Sequence, residues 1–152
     1  IKKLADDYLI KSRNAFYIGR GIDYAVALEA ALKLKEVSYI QTEGFAAAEL
    51  KHGTISLIEK DTPVVALIND PVTADLTRGN IQEVVSRGAS VITIVGKDFA
   101  REGDDIVLPE INYYMSALLT VVPAQLLAYY ASKDKGLDVD KPRNLAKSVT
   151  VE

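Results

Sequence analysis

The stretch PVVALINDPVTADLTRGNIQEVVSRGASVITIVG, residues 63–96, decides the fold of this chain. It begins and ends with runs that are apolar almost throughout, residues 63–69 and 90–96, which predicts two strands buried on both faces. Between them, residues 73–87 have helical periodicity, and Gly88 follows as a stop. Strands of this kind joined by a helix of a dozen or more residues are typical of parallel βαβ units.

The same pattern extends to both sides of this unit. AFYIGR, residues 15–20, and DIVLPE, residues 105–110, predict two more strands, and residues 23–40 predict a long helix. Residues 42–44 follow neither period and are interpreted as irregular, before a short helical turn near His52. The fold class is therefore α/β, a three-layer αβα sandwich with a mostly parallel, doubly wound sheet of the flavodoxin-like or Rossmann-like type.

Ligands of doubly wound sheets gather at the carboxyl ends of the strands. In this chain the loops expected there read GRGID, NDPVT and GKDF. The GRG turn resembles a nucleotide-binding turn, but Tyr24 stands where G-x-G-x-x-G requires its third glycine. A dinucleotide site is therefore rejected, and no cofactor is expected.

Composition excludes several classes of function. Acidic and basic residues are mixed along the chain with a net charge of -3, so no basic face is available for nucleic acid. The chain has no cysteine, which excludes disulfides and thiolate metal sites and favours a cytoplasmic location.

Residues 111–132 carry no charge but contain Pro123 and several polar side chains. We interpret them as a helix kinked or broken near Pro123, buried between layers or at a subunit interface, and not as a membrane span.

The chain divides into three predicted parts. Residues 1–13 have helical spacing and form a lead-in helix, residues 14–135 form the α/β domain, and residues 136–152 form a tail without either period. The tail is either a solvated end or a strap laid over a site. Because the sequence begins without a methionine, we expect it to be a piece of a longer protein.

Three charged side chains cluster on the long predicted helix. Glu29, Lys33 and Glu36 fall within roughly 60° of one another at about 100° per residue. Two interpretations remain open from spacing alone. The residues form ordinary intrahelical ion pairs, or, because the helix is otherwise largely apolar, a carboxylate and an ammonium share a partly dry cleft as an acid and base pair.

The single histidine, His52, and the tail lysine Lys147 are weaker candidates when taken alone. A lone histidine near a short helix is more often a packed or capping residue than a catalyst. No carboxylates stand near it at a recognisable metal-ligand spacing, so no metal site is expected. By composition, Lys147 is a surface lysine unless the tail folds inward.

Two segments carry a resemblance to a known family. EAALKLKEVSYIQTEGFAAAELKHG, residues 29–53, and DVDKPRNLAKSVTVE, residues 138–152, resemble the C-terminal sugar isomerase (SIS) domain of the glutamine:fructose-6-phosphate aminotransferases. The resemblance covers nearly the whole chain from the first strand onward.

The resemblance implies a role for each candidate residue. Glu36 would move a proton between C1 and C2 of the sugar, and Lys33 would assist at the reacting oxygens. His52 would help to open the sugar ring from the neighbouring subunit, so the working unit would be a homodimer. Lys147 would form an imine with the C2 carbonyl of open-chain fructose 6-phosphate, with the backbone of Ala146 close to the substrate.

The resemblance also implies partners. The product would be glucosamine 6-phosphate, the first intermediate of amino-sugar (UDP-N-acetylglucosamine) synthesis. Ammonia would come from a glutaminase domain that uses an N-terminal cysteine, and most of the phosphate site would come from an upstream SIS domain, because here only Thr73 offers a hydroxyl in the corresponding loops. The isolated domain is then not expected to turn over substrate alone. Two alternatives are a non-catalytic phosphosugar-sensing SIS module and a dimerisation scaffold that uses residues 111–132 as its interface.

Overall fold

The structure is a computed structural model that describes residues 1–145 of the 152-residue chain. Five strands alternate with helices along the sequence. The strands are β1 (Asn14–Gly19), β2 (Gln41–Ala46), β3 (Pro63–Ile68), β4 (Ser90–Gly96) and β5 (Ile106–Leu108). The helices are α1 (Lys2–Leu4), which continues as a π-helical turn over Ala5–Leu9, α2 (Ile22–Ser38), α3 (Ala74–Val85) and α4 (Ser116–Asp134).

All neighbouring strands pair in parallel in the order β2-β1-β3-β4-β5. The chain moves outward from β1 to β2 and then returns past β1 to β3, so the sheet is doubly wound. The N-terminal helical segment, α2 and α4 cover one face of the sheet, and α3 covers the other. The predicted three-layer αβα fold is confirmed, and β3 and β4, the strands of the opening stretch, lie side by side within it.

Helix α2 confirms the predicted long helix within two residues at each end. Its buried side is built mainly of small and branched apolar residues, including Ala27, Ala30 and Leu34, which allow close packing on the sheet and α4. The helix ends at Tyr39, whose left-handed backbone (φ 60°) lets its N–H bond the carbonyl of Lys35. The carboxyl end of α2 is therefore fixed in place.

The interpretation of residues 42–44 as irregular is wrong, because they lie in the middle of β2. This strand is at the edge of the sheet and pairs with β1 alone. Gln41 and Glu43 face solvent while Thr42 between them is fully buried. A short edge strand with polar residues on its open side does not have the continuous apolar run of the central strands.

Gly44 allows β2 to lie directly against α2. A Cβ at this position would come within 2.8 Å of the backbone of Ala27 and 2.9 Å of the Cα of Leu28. We expect Gly44→Ala to lower the free energy of unfolding by about 1–3 kcal/mol, because two backbones would have to move apart. Gly79 on α3, where an added methyl group would meet nothing within 4 Å, is the matched control, and Gly79→Ala should raise stability by about 0.4–1 kcal/mol. Urea unfolding of both variants checks the opposite signs, and equal effects would contradict the close approach.

Helix α4 continues through Pro123, so of the two predicted alternatives, a kink or a break, the break is wrong. Pro123 is buried, and the helix around it packs against α2 and the sheet, which keeps it helical although the proline removes one backbone hydrogen bond. Within residues 1–145, Tyr113–Asp134 is the one helical stretch long and apolar enough to cross a membrane by length and composition. Its inner side is part of the core, as predicted, while Leu118, Val122 and Tyr129 are exposed on its outer side.

Candidate functional site

The last turns of α2 bring the predicted acid and base pair together. The Nζ of Lys33 donates a hydrogen bond to Oε2 of Glu36 at 2.7 Å and lies 3.7 Å from Oε1 of Glu29. Exposed fractions separate the two carboxylates, since the Glu36 side chain is 22% exposed and that of Glu29 is 48% exposed. Glu36 is therefore the carboxylate held close to the protein surface, and Glu29 is the more solvated one.

This arrangement keeps Lys33 charged. The hydrogen bond to Glu36 is the main cause that raises the pKa of the Lys33 ammonium above its ordinary value. Burial opposes this rise, and the charges of Glu36 and Glu29 add to it. A folded-state pKa that is raised means that the protonated form is stabilised at every pH below the ordinary value for lysine. At neutral pH this position supplies a fixed positive charge beside a carboxylate.

The pair opens onto a cleft of about 670 Å³ that the tail completes. Lys33, Glu36 and Val37 form the α2 side of the cleft. The tail side consists of Val139, Asp140, Lys141, Pro142 and Leu145. Two predicted site residues, Ala146 and Lys147, lie outside the described residues, but they directly follow the last described residue of this cleft. Of these tail residues, Val139 and Pro142 are half-buried, while Asp140, Lys141 and Leu145 are exposed.

His52 lies at the opposite end of the parallel strands from Glu36. It ends a short 3₁₀ turn, Leu50–His52, that follows the carboxyl end of β2, and its side chain is exposed. Glu36 lies near the end of α2, just before the amino end of β2. Because the six residues of β2 span about 17 Å at roughly 3.3 Å per step, the structure does not bring His52 and Glu36 of one chain together.

The GRG turn closes on the protein's own side chains. Gly21 has φ 55°, and a Cβ there would lie 2.7 Å from both Oδ2 of Asp70 and the hydroxyl of Tyr113. That hydroxyl donates to Asp70 at 3.1 Å and accepts from the N–H of Ile22 at 3.3 Å. The glycine is needed for the turn and for this close packing.

At the carboxyl ends of the strands, the carboxylates of Asp23 and Asp70 are buried within the fold. Asp23 is 2% exposed, and its carboxylate accepts from the backbone and side-chain N–H groups of Asn69 at 2.7 and 2.8 Å. Burial raises the pKa of the Asp23 carboxyl, although the hydrogen bonds from Asn69 oppose the shift. Thr73, the expected hydroxyl, is the helix N-cap of α3, and its Oγ1 is buried without a partner. The one hydroxyl expected from these loops is therefore not accessible to a phosphate.

No group of three or more histidine, cysteine, aspartate or glutamate side chains that could hold a metal ion is found in residues 1–145.

Sequence reasoning missed two residues that contact each other beside the cleft, Tyr39 and Arg143. The ring of Tyr39 lies 4.0 Å from the guanidinium carbon of Arg143. Nothing in the local sequence pairs residues 104 positions apart, so no pattern indicated this contact.

Comparison with known proteins gives this arrangement a context. The SIS domain family model matches residues 8–132. The chain is 64% identical over 99% of its length to a glutamine–fructose-6-phosphate aminotransferase [isomerizing] of Lactiplantibacillus plantarum, and 65% identical over 100% of its length to that of Streptococcus agalactiae. It spans about a quarter of the length of these curated relatives.

Solved structures show the same fold. The C-terminal domain of the glucosamine-fructose-6-phosphate aminotransferase of Francisella tularensis matches with a TM-score of 0.80 at 36% identity, over 91% of this chain and 42% of that chain. A glucosamine-6-phosphate deaminase of Thermotoga maritima matches with a TM-score of 0.79 at 29% identity, over 97% of this chain and 44% of that chain. With the family model covering residues 8–132 and the sheet, helices and α2 cluster in place, the chain belongs to the SIS domain family.

Proposed function

We propose that this chain is the C-terminal SIS domain of a glutamine:fructose-6-phosphate aminotransferase and carries the isomerase residues of that enzyme. The observation that carries the proposal is the Lys33–Glu36 pair, 2.7 Å apart, in a cleft closed by the tail that leads to Lys147. The similarity to aminotransferases of this name over almost the whole chain supports it. We call the longer polypeptide, of which this chain is the proposed C-terminal part, the full-length protein.

The proposed reaction assigns one step to each residue. Lys147 attacks C2 of open-chain fructose 6-phosphate and forms an imine with loss of water, and ammonia then displaces the lysine. Glu36 takes a proton from C1 and returns it to C2, while the proton of the O1 hydroxyl passes to the imine nitrogen, which together convert the ketose imine to the aldose, glucosamine 6-phosphate. Lys33, held protonated beside Glu36, stabilises negative charge on the reacting oxygens. Ala146 would contribute backbone contacts to the substrate, as the resemblance implies.

Ring opening is assigned to His52 of a second subunit. The support is geometric, because His52 and Glu36 of one chain stand at opposite ends of the parallel strands. An exposed histidine that cannot reach its own cleft can serve the cleft of a twofold-related partner. The working unit is therefore a homodimer, and we place it in the cytoplasm at the first step of amino-sugar synthesis.

Other domains of the same polypeptide complete the enzyme. Without cysteine, this chain cannot supply the nucleophile that releases ammonia from glutamine, so a glutaminase domain does. Thr73, the one hydroxyl expected in the corresponding loops, is buried without a hydrogen-bond partner, so an upstream SIS domain holds the phosphate of the sugar. The chain spans about a quarter of its relatives, which leaves ample length for both domains.

Trapping the imine tests this function. The full-length protein is incubated with fructose 6-phosphate and reduced with borohydride, and peptides are analysed by mass spectrometry. We expect a reduced sugar-phosphate adduct on Lys147 that is lost in Lys147→Arg and retained in Lys141→Arg, the matched control, an exposed lysine that lines the same cleft. An adduct on Lys33 in place of Lys147, or turnover without any adduct, would contradict the assignment.

A further inference from the structure

Tyr39 has an unusual backbone for its residue type. Of the non-glycine residues in the described range, only Tyr39, Asp61 and Asn144 have positive φ, and Tyr39 is the bulky one. Helices commonly end with a left-handed residue, but this position is usually glycine or asparagine, which carry little steric penalty there. A tyrosine at this position indicates that its side chain has a task besides ending α2.

That side chain holds the tail by two separate contacts. The hydroxyl of Tyr39 accepts a hydrogen bond from the backbone N–H of Arg143 at 2.8 Å. The guanidinium carbon of Arg143 lies 4.0 Å from the centre of the Tyr39 ring, which is a close cation–π distance. One aromatic residue therefore binds both the backbone and the side chain of Arg143, and we call this pair the clasp.

The chain turns immediately after the clasp. The N–H of Leu145 lies 3.4 Å from the carbonyl oxygen of Pro142, and Asn144 has φ 61°, the left-handed backbone that a type II turn requires at its third residue. The turn returns Leu145 to the wall of the cleft that contains Lys33 and Glu36. The direction of the tail at this point depends on where Arg143 is held.

We propose that Tyr39 is a positioning residue: its clasp on Arg143 fixes the tail up to Leu145 as one wall of the cleft that contains the Lys33–Glu36 pair, and imine formation in this cleft depends on that anchor. This inference rests on the proposed function. Tyr39 follows Glu36 by three residues, so the same helix end carries the proton-transfer carboxylate and the anchor for the tail. Anchoring at one end of α2 reduces the positions open to the tail, and misplacement by about 1 Å can cost about 100-fold in rate.

The test uses the full-length protein with Tyr39→Asn and Tyr39→Phe. Asparagine tolerates the left-handed backbone and removes the clasp, so the thermal midpoint should change little. We expect the rate of borohydride-trapped adduct on Lys147 to fall about 10- to 100-fold in Tyr39→Asn. Tyr39→Phe keeps the ring and loses only the hydroxyl, so its loss should be about two- to tenfold. Tyr129→Phe, which alters another tyrosine beside a cation, Lys133, is the matched control and should leave the rate unchanged.

A second readout needs no catalysis. Trypsin cleaves after arginine, and the clasp holds both the backbone N–H and the guanidinium of Arg143, whereas Lys141 is followed by proline and is a poor site. Cleavage after Arg143 should therefore be faster in Tyr39→Asn than in the unaltered protein. Adduct formation at the unaltered rate in Tyr39→Asn, or a lowered thermal midpoint with unchanged cleavage at Arg143, would overturn the positioning role. Absence of any adduct in the unaltered protein would contradict the proposed function instead, while the trypsin readout would still report on the clasp.

Discussion

Replacing Glu36 by glutamine in the full-length protein should lower the rate of glucosamine 6-phosphate formation by about 10²–10⁴-fold. Glutamine has the shape of glutamate but cannot accept the proton from C1. The variant should fold normally, because the lost Lys33–Glu36 pair is partly exposed and such pairs contribute at most about 1 kcal/mol. Initial rates with fructose 6-phosphate and glutamine, together with thermal unfolding, measure the two effects separately.

Glu29→Gln is the control for this experiment. Glu29 lies on the same helix, also faces Lys33, and stands 3.7 Å from its Nζ, but it is more exposed than Glu36. Removal of this charge should change the rate by less than about threefold, since exposed ion pairs of this kind have small effects. If Glu36→Gln retained the full rate, or if both variants lost activity equally, Glu36 would not be the proton-transfer residue.

Mixing two inactive variants should restore activity. In the proposed homodimer each site takes Glu36 from one subunit and His52 from the other. A dimer of one Glu36→Gln subunit and one His52→Ala subunit therefore has one site with both changes and one unaltered site. Random exchange makes half of the dimers mixed, so about one quarter of the unaltered rate should return. Rates are measured before and after subunit exchange, with exchange verified by native mass spectrometry of a tagged subunit.

The matched control is a mixture that cannot rebuild a site. Glu36→Gln mixed with a Glu36→Gln, His52→Ala double variant leaves no subunit with the carboxylate, so no activity should return. Verified exchange without recovery in the first mixture would place His52 in its own subunit or outside the reaction. Full activity of His52→Ala by itself would remove it from the mechanism.

The parts of the fold that the sequence predicted are those with local patterns. The central strands β3 and β4 are continuous apolar runs, and α2 shows helical spacing over most of its length. The edge strand β2 was missed because edge strands need only one paired side and can carry polar residues. A kink or a break was predicted at Pro123, and the break is absent, because tertiary packing of α4 outweighs the missing hydrogen bond.

The sequence by itself determined the fold class and the Lys33–Glu36 pair. Both follow from short-range geometry, since residues three apart on a helix are neighbours whatever surrounds them. Only the tertiary structure decided the rest. It placed His52 at the end of the strands opposite Glu36, built the cleft from α2 and the tail, and joined Tyr39 to Arg143 across 104 residues of chain. Such contacts depend on how whole layers pack, and no local period in the sequence records the distance between elements that meet only after folding.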